Sequence, residues 1–168
     1  MDRRNFIERL TVGGGALAST SLMGFAIPEN QKTKRINLQD SSEELAADVV
    51  VIGGGLGGCA TAFAALRNNL TVILTEETDW IGGQLTQQGV PPDEHNWIET
   101  HGAPQLYRDF RTSIREYYKK NYPLTDAAKA VQYLNPGAGS VSKLCHEPKV
   151  AVSVLQDMMA PYISAGKL

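Results

Sequence analysis

Cysteine is scarce in this chain: two in 168 residues, Cys59 and Cys145. That is too few for a disulfide scaffold, and the two show no zinc-type pairing. The three histidines add no repeating ligand spacing, so no metal site is expected. An excess of one charge is also missing. Sixteen Lys and Arg face 18 Asp and Glu, a formal net charge of −2, without the basic footprint that a nucleic-acid partner needs. There is no internal repeat and no low-complexity tract. The hydrophobic fraction of 42% and charged fraction of 20% are ordinary for a globular protein, and the length allows one domain with a real core. What the chain does have is glycine, unevenly placed: Gly13 to Gly15 stand together, and a second cluster fills Gly53 to Gly58.

The first cluster lies in a leader. Arg3 and Arg4 begin a basic segment, and Leu10 to Ala26 is small and apolar, ending in the small-x-small run Gly24-Phe25-Ala26. This order is that of a signal peptide over residues 1–26. The paired arginines followed by Phe6 and Ile7 resemble a twin-arginine signal, although Asp2 and Glu8 depart from the usual pattern. Gly13, Gly14, Gly15 and the nearby Ser and Thr residues leave the segment too polar and too short for a stable transmembrane helix. An exported bacterial protein, periplasmic or at the cell surface, is expected, with the twin-arginine or another export machinery as a partner. That route carries folded proteins, which suits an enzyme that loads a cofactor before export. Residues 27–47 are polar without periodicity and read as a linker.

The second glycine cluster carries the chemistry. Asp48-Val49-Val50-Val51-Ile52 is a β-branched run of the kind expected for a parallel strand buried on both faces. It leads directly into Gly53-Gly54-Gly55-Leu56-Gly57-Gly58, which satisfies G-x-G-x-x-G. A small-residue helix follows, with Gly58, Ala62 and Ala65 on one face. Leu70 to Thr75 is a second strand, and it ends at Glu76. In such a unit Gly53 permits the tight turn, Gly55 lets the backbone approach a pyrophosphate, and Gly58 allows close helix–strand packing. The helix N-terminus at Leu56 and Gly57 offers amides and positive potential to phosphate. A carboxylate at Glu76 accepts from a ribose 2′-hydroxyl and repels a 2′-phosphate, which disfavours NADP. FAD and NAD remain open on this fingerprint.

The next stretch separates them by resemblance. Trp80-Ile81-Gly82-Gly83-Gln84-Leu85-Thr86 is similar to the Gly-Gly segment that glutathione-reductase-like FAD-binding proteins place beyond the second strand, near the flavin side of the cofactor. More narrowly, with Gln88-Gly89-Val90-Pro91-Pro92-Asp93-Glu94-His95, it resembles a bacterial FAD-dependent oxidoreductase family. The likeness continues through Tyr107 to Tyr122, Asn135-Pro136-Gly137 and Leu144-Cys145-His146-Glu147-Pro148. It implies FAD as cofactor, redox chemistry on an unknown small-molecule substrate, and cofactor contacts at Gly82, Gly83 and Gln84. Read alone, Gly82-Gly83 is a type I′ or II′ hairpin turn. The rivals are an NAD-binding dehydrogenase and a non-catalytic truncated remnant.

Leu106, Phe110, Ile114 and Tyr117 recur at helical spacing after Pro104, with Arg108, Asp109, Arg111, Arg115 and Glu116 read as a solvated face. His95 and His101, near Asp93, Glu94, Trp97 and Glu99, are candidates for proton transfer, though polar loop residues are the simpler reading. Cys59 and Cys145 read as packing residues. A further helix is bracketed by Pro148 and Gly166, with Pro161 breaking its last turns. Lys167-Leu168 reads as the start of a third strand. The expected fold over residues 48–168 is therefore α/β: an incomplete Rossmann-type FAD-binding domain, βαβ with a helical insertion, truncated before the third strand. Such a piece is expected to bury its sheet poorly, to bind FAD weakly if at all, and to lack turnover by itself.

Overall fold

The computed structural model describes residues 44–92 and 94–168. The leader, most of the linker and Asp93 lie outside the described residues. Strand β1 (Val49–Ile52) and strand β2 (Val72–Thr75) pair in parallel, with Val49 opposite Val72 and Ile52 opposite Thr75. Helix α1 (Leu56–Arg67) connects them. The unit is fastened at its start by Asp48, whose carboxylate accepts from the Thr71 amide at 2.8 Å and the Thr71 hydroxyl at 2.7 Å. Those bonds, the amide first, hold the Asp48 carboxyl below its usual range.

Helix α1 lies tightly on the sheet. Val51 and Val72 on the strands and Ala62, Ala65 and Leu66 on the helix form one buried cluster. Gly58 makes this approach possible, because a Cβ there would stand 1.9 Å from the Gly53 carbonyl oxygen. Among the described residues nothing covers the opposite face of β1: Val50 is 54% exposed and Ile52 80%. The expectation of a strand buried on both faces therefore holds for one face only. Among the described residues the sheet has two strands. On the outer edge of β2 the Val72 amide donates to the Lys167 carbonyl at 2.8 Å, so the C-terminal residues lie where a third strand was expected.

Four helices follow: α2 (Gln84–Gln87), α3 (Gln105–Asn121), α4 (Asp126–Lys129) and α5 (Pro148–Ser164). The larger core joins α1, α3 and α5 through Cys59, Phe63, Phe110, Ile114, Val154 and Leu155. At the far end of α3, the Tyr118 hydroxyl accepts from the Glu147 amide at 2.8 Å and the Tyr122 hydroxyl donates to the Glu147 carboxylate at 3.0 Å. Both bonds fix the entry to α5. Pro148 stands in its first turn and Gly166, at φ +65°, follows its end, as expected. Pro161 does not break it: the helix runs through to Ser164. The proline is exposed and forfeits one hydrogen bond within the last turn, a small loss there.

The reading of α3 needs a larger correction. Phe110 and Ile114 are buried as expected, but Arg111 and Arg115 are not on a solvated face; they are 1% and 3% exposed. Arg111 pairs with Glu94 and Glu99, and Arg115 pairs with Glu99 and donates to the Leu134 carbonyl at 2.9 Å. Charged side chains become buried when each finds a partner that is also withdrawn from water, and the two glutamates supply this from the loop before α3. Asp109 and Glu116 do stay at the surface.

Two substitutions test this packing. Arg111→Met leaves the buried Glu94 without its cation and Glu99 with Arg115 alone, and urea denaturation should show a loss of about 3–5 kcal/mol. Gly58→Ala pushes α1 off β1, and the same assay should show a loss of about 1–3 kcal/mol.

Candidate cofactor site

At the C-terminal end of β1 the chain turns through Gly53, whose φ of +100° is a conformation that side chains rarely adopt. Gly55 is the N-cap of α1, in extended conformation; the helix has no side-chain cap and no acid in its first turn. The amides of Leu56, Gly57 and Gly58 open the helix, and its dipole adds positive potential. Room adjoins this turn, since a Cβ added at Gly53, Gly55 or Gly57 would meet nothing within 4 Å. Uncapped amides facing open space can take an anion.

Glu76 stands beside this loop at the tip of β2. One carboxylate oxygen accepts from the Gly54 amide at 3.0 Å, and the other accepts from the Thr78 amide at 3.1 Å and the Thr78 hydroxyl at 3.0 Å. These bonds, the Thr78 hydroxyl first, hold its carboxyl below the usual range. The oxygen that accepts from Gly54 keeps a lone pair for a further donor such as a ribose hydroxyl. Thr78 went unnoticed in the sequence, although a threonine two residues past an acid at a strand end is a common turn-closing spacing.

Gly82 and Gly83 meet the glycine loop from the other side. The Gly82 amide donates to the Gly54 carbonyl at 2.7 Å. A Cβ at Gly83 would stand 3.0 Å from the Leu56 amide nitrogen and 3.1 Å from the Gly55 Cα. Both glycines have positive φ, +106° and +54°, and they lead straight into α2. They are therefore not a hairpin turn. Gln84 opens α2 and is exposed. The buried Thr86 hydroxyl donates to the Ile81 carbonyl at 2.7 Å and steadies the bend. Gly53, Gly55, Leu56, Gly57, Gly58, Glu76, Gly82, Gly83 and Gln84 thus gather at one end of the sheet.

Cys59 lies beneath the loop, and its thiol contacts the Gly54 carbonyl at 3.1 Å. Burial pushes that thiol up from its usual range, which keeps it protonated and unreactive. Cys145 is also buried. His95 and His101 are exposed and flank the Trp97 ring, with centroids at 6.0 and 5.9 Å. They do not meet Glu94 and Glu99, which are held by the arginines; Asp93 lies outside the described residues. His146 is partly buried, its Nδ1 3.0 Å from the Leu144 carbonyl, and burial holds its imidazole below the ordinary value. Among the described residues no group of three or more His, Cys, Asp or Glu could hold a metal, and no helix is long and apolar enough to cross a membrane.

Comparison with known proteins agrees with this geometry. Residues 48–166 match the family model described as FAD dependent oxidoreductase. Carotenoid phi-ring synthase of Chlorobaculum tepidum is similar, with 31% identity over 124 residues. That similarity covers 70% of this chain but 18% of the relative. No solved structure matches. Strand, glycine loop, helix, second strand and terminal acid all fall within the matched span, so the chain belongs to the FAD dependent oxidoreductase family, and its cofactor is FAD.

Proposed function

We propose that this chain is the N-terminal FAD-binding portion of an exported flavin-dependent oxidoreductase. The observation that carries the cofactor assignment is the uncapped start of α1, open above Gly55 and Gly57. In this reading Gly53 makes the turn and Gly55 admits the pyrophosphate to the backbone. The amides of Leu56, Gly57 and Gly58 then donate to its oxygens. Glu76, already fixed by Gly54 and Thr78, accepts from the ribose diol. Gly82, Gly83 and Gln84 border the cofactor on its flavin side. FAD, once bound, supplies the two-electron redox chemistry.

The match to 18% of the relative supports a portion that works with further protein, where the small-molecule substrate would be turned over. By itself this portion binds cofactor without turnover. Arg3, Arg4 and the weakly apolar stretch after them support export by the twin-arginine route, which would place the folded, loaded protein in the periplasm or at the cell surface.

Two measurements test the reading. FAD titrated into the chain should quench saturably, whereas NAD should not bind. Gly55→Val should keep the wild-type unfolding midpoint, since its side chain enters open space, yet weaken FAD at least about tenfold, or ~1.4 kcal/mol. Equal FAD affinity in that variant would refute the placement of the pyrophosphate. For export, cell fractionation should find the chain outside the cytoplasm and the Arg3→Lys, Arg4→Lys double variant within it. An unchanged distribution rules out the twin-arginine route.

A further inference from the structure

Beside the glycine loop lies a cavity of about 430 Å³, within the ~300–1,000 Å³ range of small-molecule pockets. Its walls come from α1, α2, α3 and α5, among them Phe63, Leu85, Phe110 and Leu155. It reaches Leu56, the first residue of α1, and Gln84, the residue after Gly83. It therefore adjoins the proposed cofactor cradle without containing Gly53, Gly55, Gly57, Gly58 or Glu76.

The chemistry of its lining is one-sided. Among the described residues no charged side chain lines it, and the side-chain amides are those of Gln84 and Gln88, both exposed. The Tyr107 ring forms part of the wall, but its hydroxyl donates to Glu94, and burial with that bond pushes the phenol well above its usual range. The nearby cations, Arg111 and Arg115, are occupied by Glu94 and Glu99. A carboxylate or phosphate entering the cavity would lose its hydration and meet no cation among the described lining residues. An apolar molecule would lose only unfavourable contact with water.

We infer that this cavity binds a neutral, largely hydrocarbon ligand next to the flavin, and that the enzyme's substrate belongs to that class. The substrate part rests on the cofactor reading above; the binding part rests on the cavity alone.

The test uses the whole chain, with Nile red as a neutral apolar probe and FAD binding followed in parallel. Nile red should bind saturably at one site and remain bound when FAD is added. 1-Decanol should compete, and decanoate, the same chain ending in a carboxylate, should compete at least about tenfold less well. Ala60→Trp, at an exposed lining position of α1, should fill the space and weaken Nile red at least about tenfold with FAD affinity unchanged. Ala60→Lys should weaken it by introducing charge, while Val141→Ser, an exposed position outside the lining, should not alter it. Stoichiometric displacement of Nile red by FAD would make the cavity the cofactor's own slot and overturn the inference. Equal competition by decanoate, or undiminished probe binding in both Ala60 variants, would overturn it as well, with the FAD reading untouched. Probe binding sensitive to both Ala60 variants, in a chain that takes up no FAD, would uphold the apolar site and refute the cofactor cradle.

Discussion

Two arginines withdrawn from water hold the middle of this protein to its edges. Arg111 and Arg115 lie one helical turn apart on α3, and each reaches a glutamate that lies in the loop before the helix. Arg115 also caps the Leu134 carbonyl, which draws in the segment that follows α4. Two stretches with little regular structure thus converge on one helix face. The cost of desolvating four charges is large, and it is offset in part because each guanidinium finds a carboxylate, while Arg111 Nε and Glu94 Oε2 stay buried without a partner among the described residues. Such a cluster specifies one arrangement sharply, since any slip of the loop strands a charge. The wall of the apolar cavity inherits that order: Tyr107 is held by Glu94, and Glu94 by Arg111.

The glycine loop obeys a different constraint, that of space. Gly58 brings α1 within reach of the Gly53 carbonyl, and this sets the direction in which the first-turn amides point. Gly82 and Gly83 then approach from the far side and clasp Gly54 and Gly55. The loop is held by backbone on two flanks and by the Glu76 carboxylate and the Cys59 thiol at Gly54, and space remains beside Gly53, Gly55 and Gly57. A site assembled from main-chain amides suits a ligand whose charge is on phosphate, and the one acidic side chain is set apart from those amides, bound to Gly54 and Thr78.

Much of this was legible because it is local. The strand, the glycines, the small-residue helix and Glu76 follow one another directly, and each residue type has a steric reason to be where it is. Pro148 and Gly166 likewise mark their helix by backbone chemistry alone. What escaped the sequence is non-local. Arg111 and Arg115 carry the residue type and spacing of a water-facing stripe, and only the fold reveals that Glu94 and Glu99 meet them. Val50 and Ile52 look like core, because composition does not say whether a covering layer is present. Gly82-Gly83 resembles a turn in isolation, and its close approach to Gly55 depends on where the second strand delivers it. Pro161 misled for a simpler reason: a helix near its end loses little to one missing amide.

The contact of the C-terminal residues with β2 also dictates the order in which the chain can assemble. Lys167 reaches Asn69 across a sequence separation of 98 residues, whereas β1, α1 and β2 are contiguous. Closing so long a loop is entropically costly until the intervening helices have packed. The β1–α1–β2 unit can therefore condense early, and the Lys167 contact at the edge of the sheet forms after it. During synthesis from the N-terminus, the nascent protein would carry its glycine loop well before that contact forms.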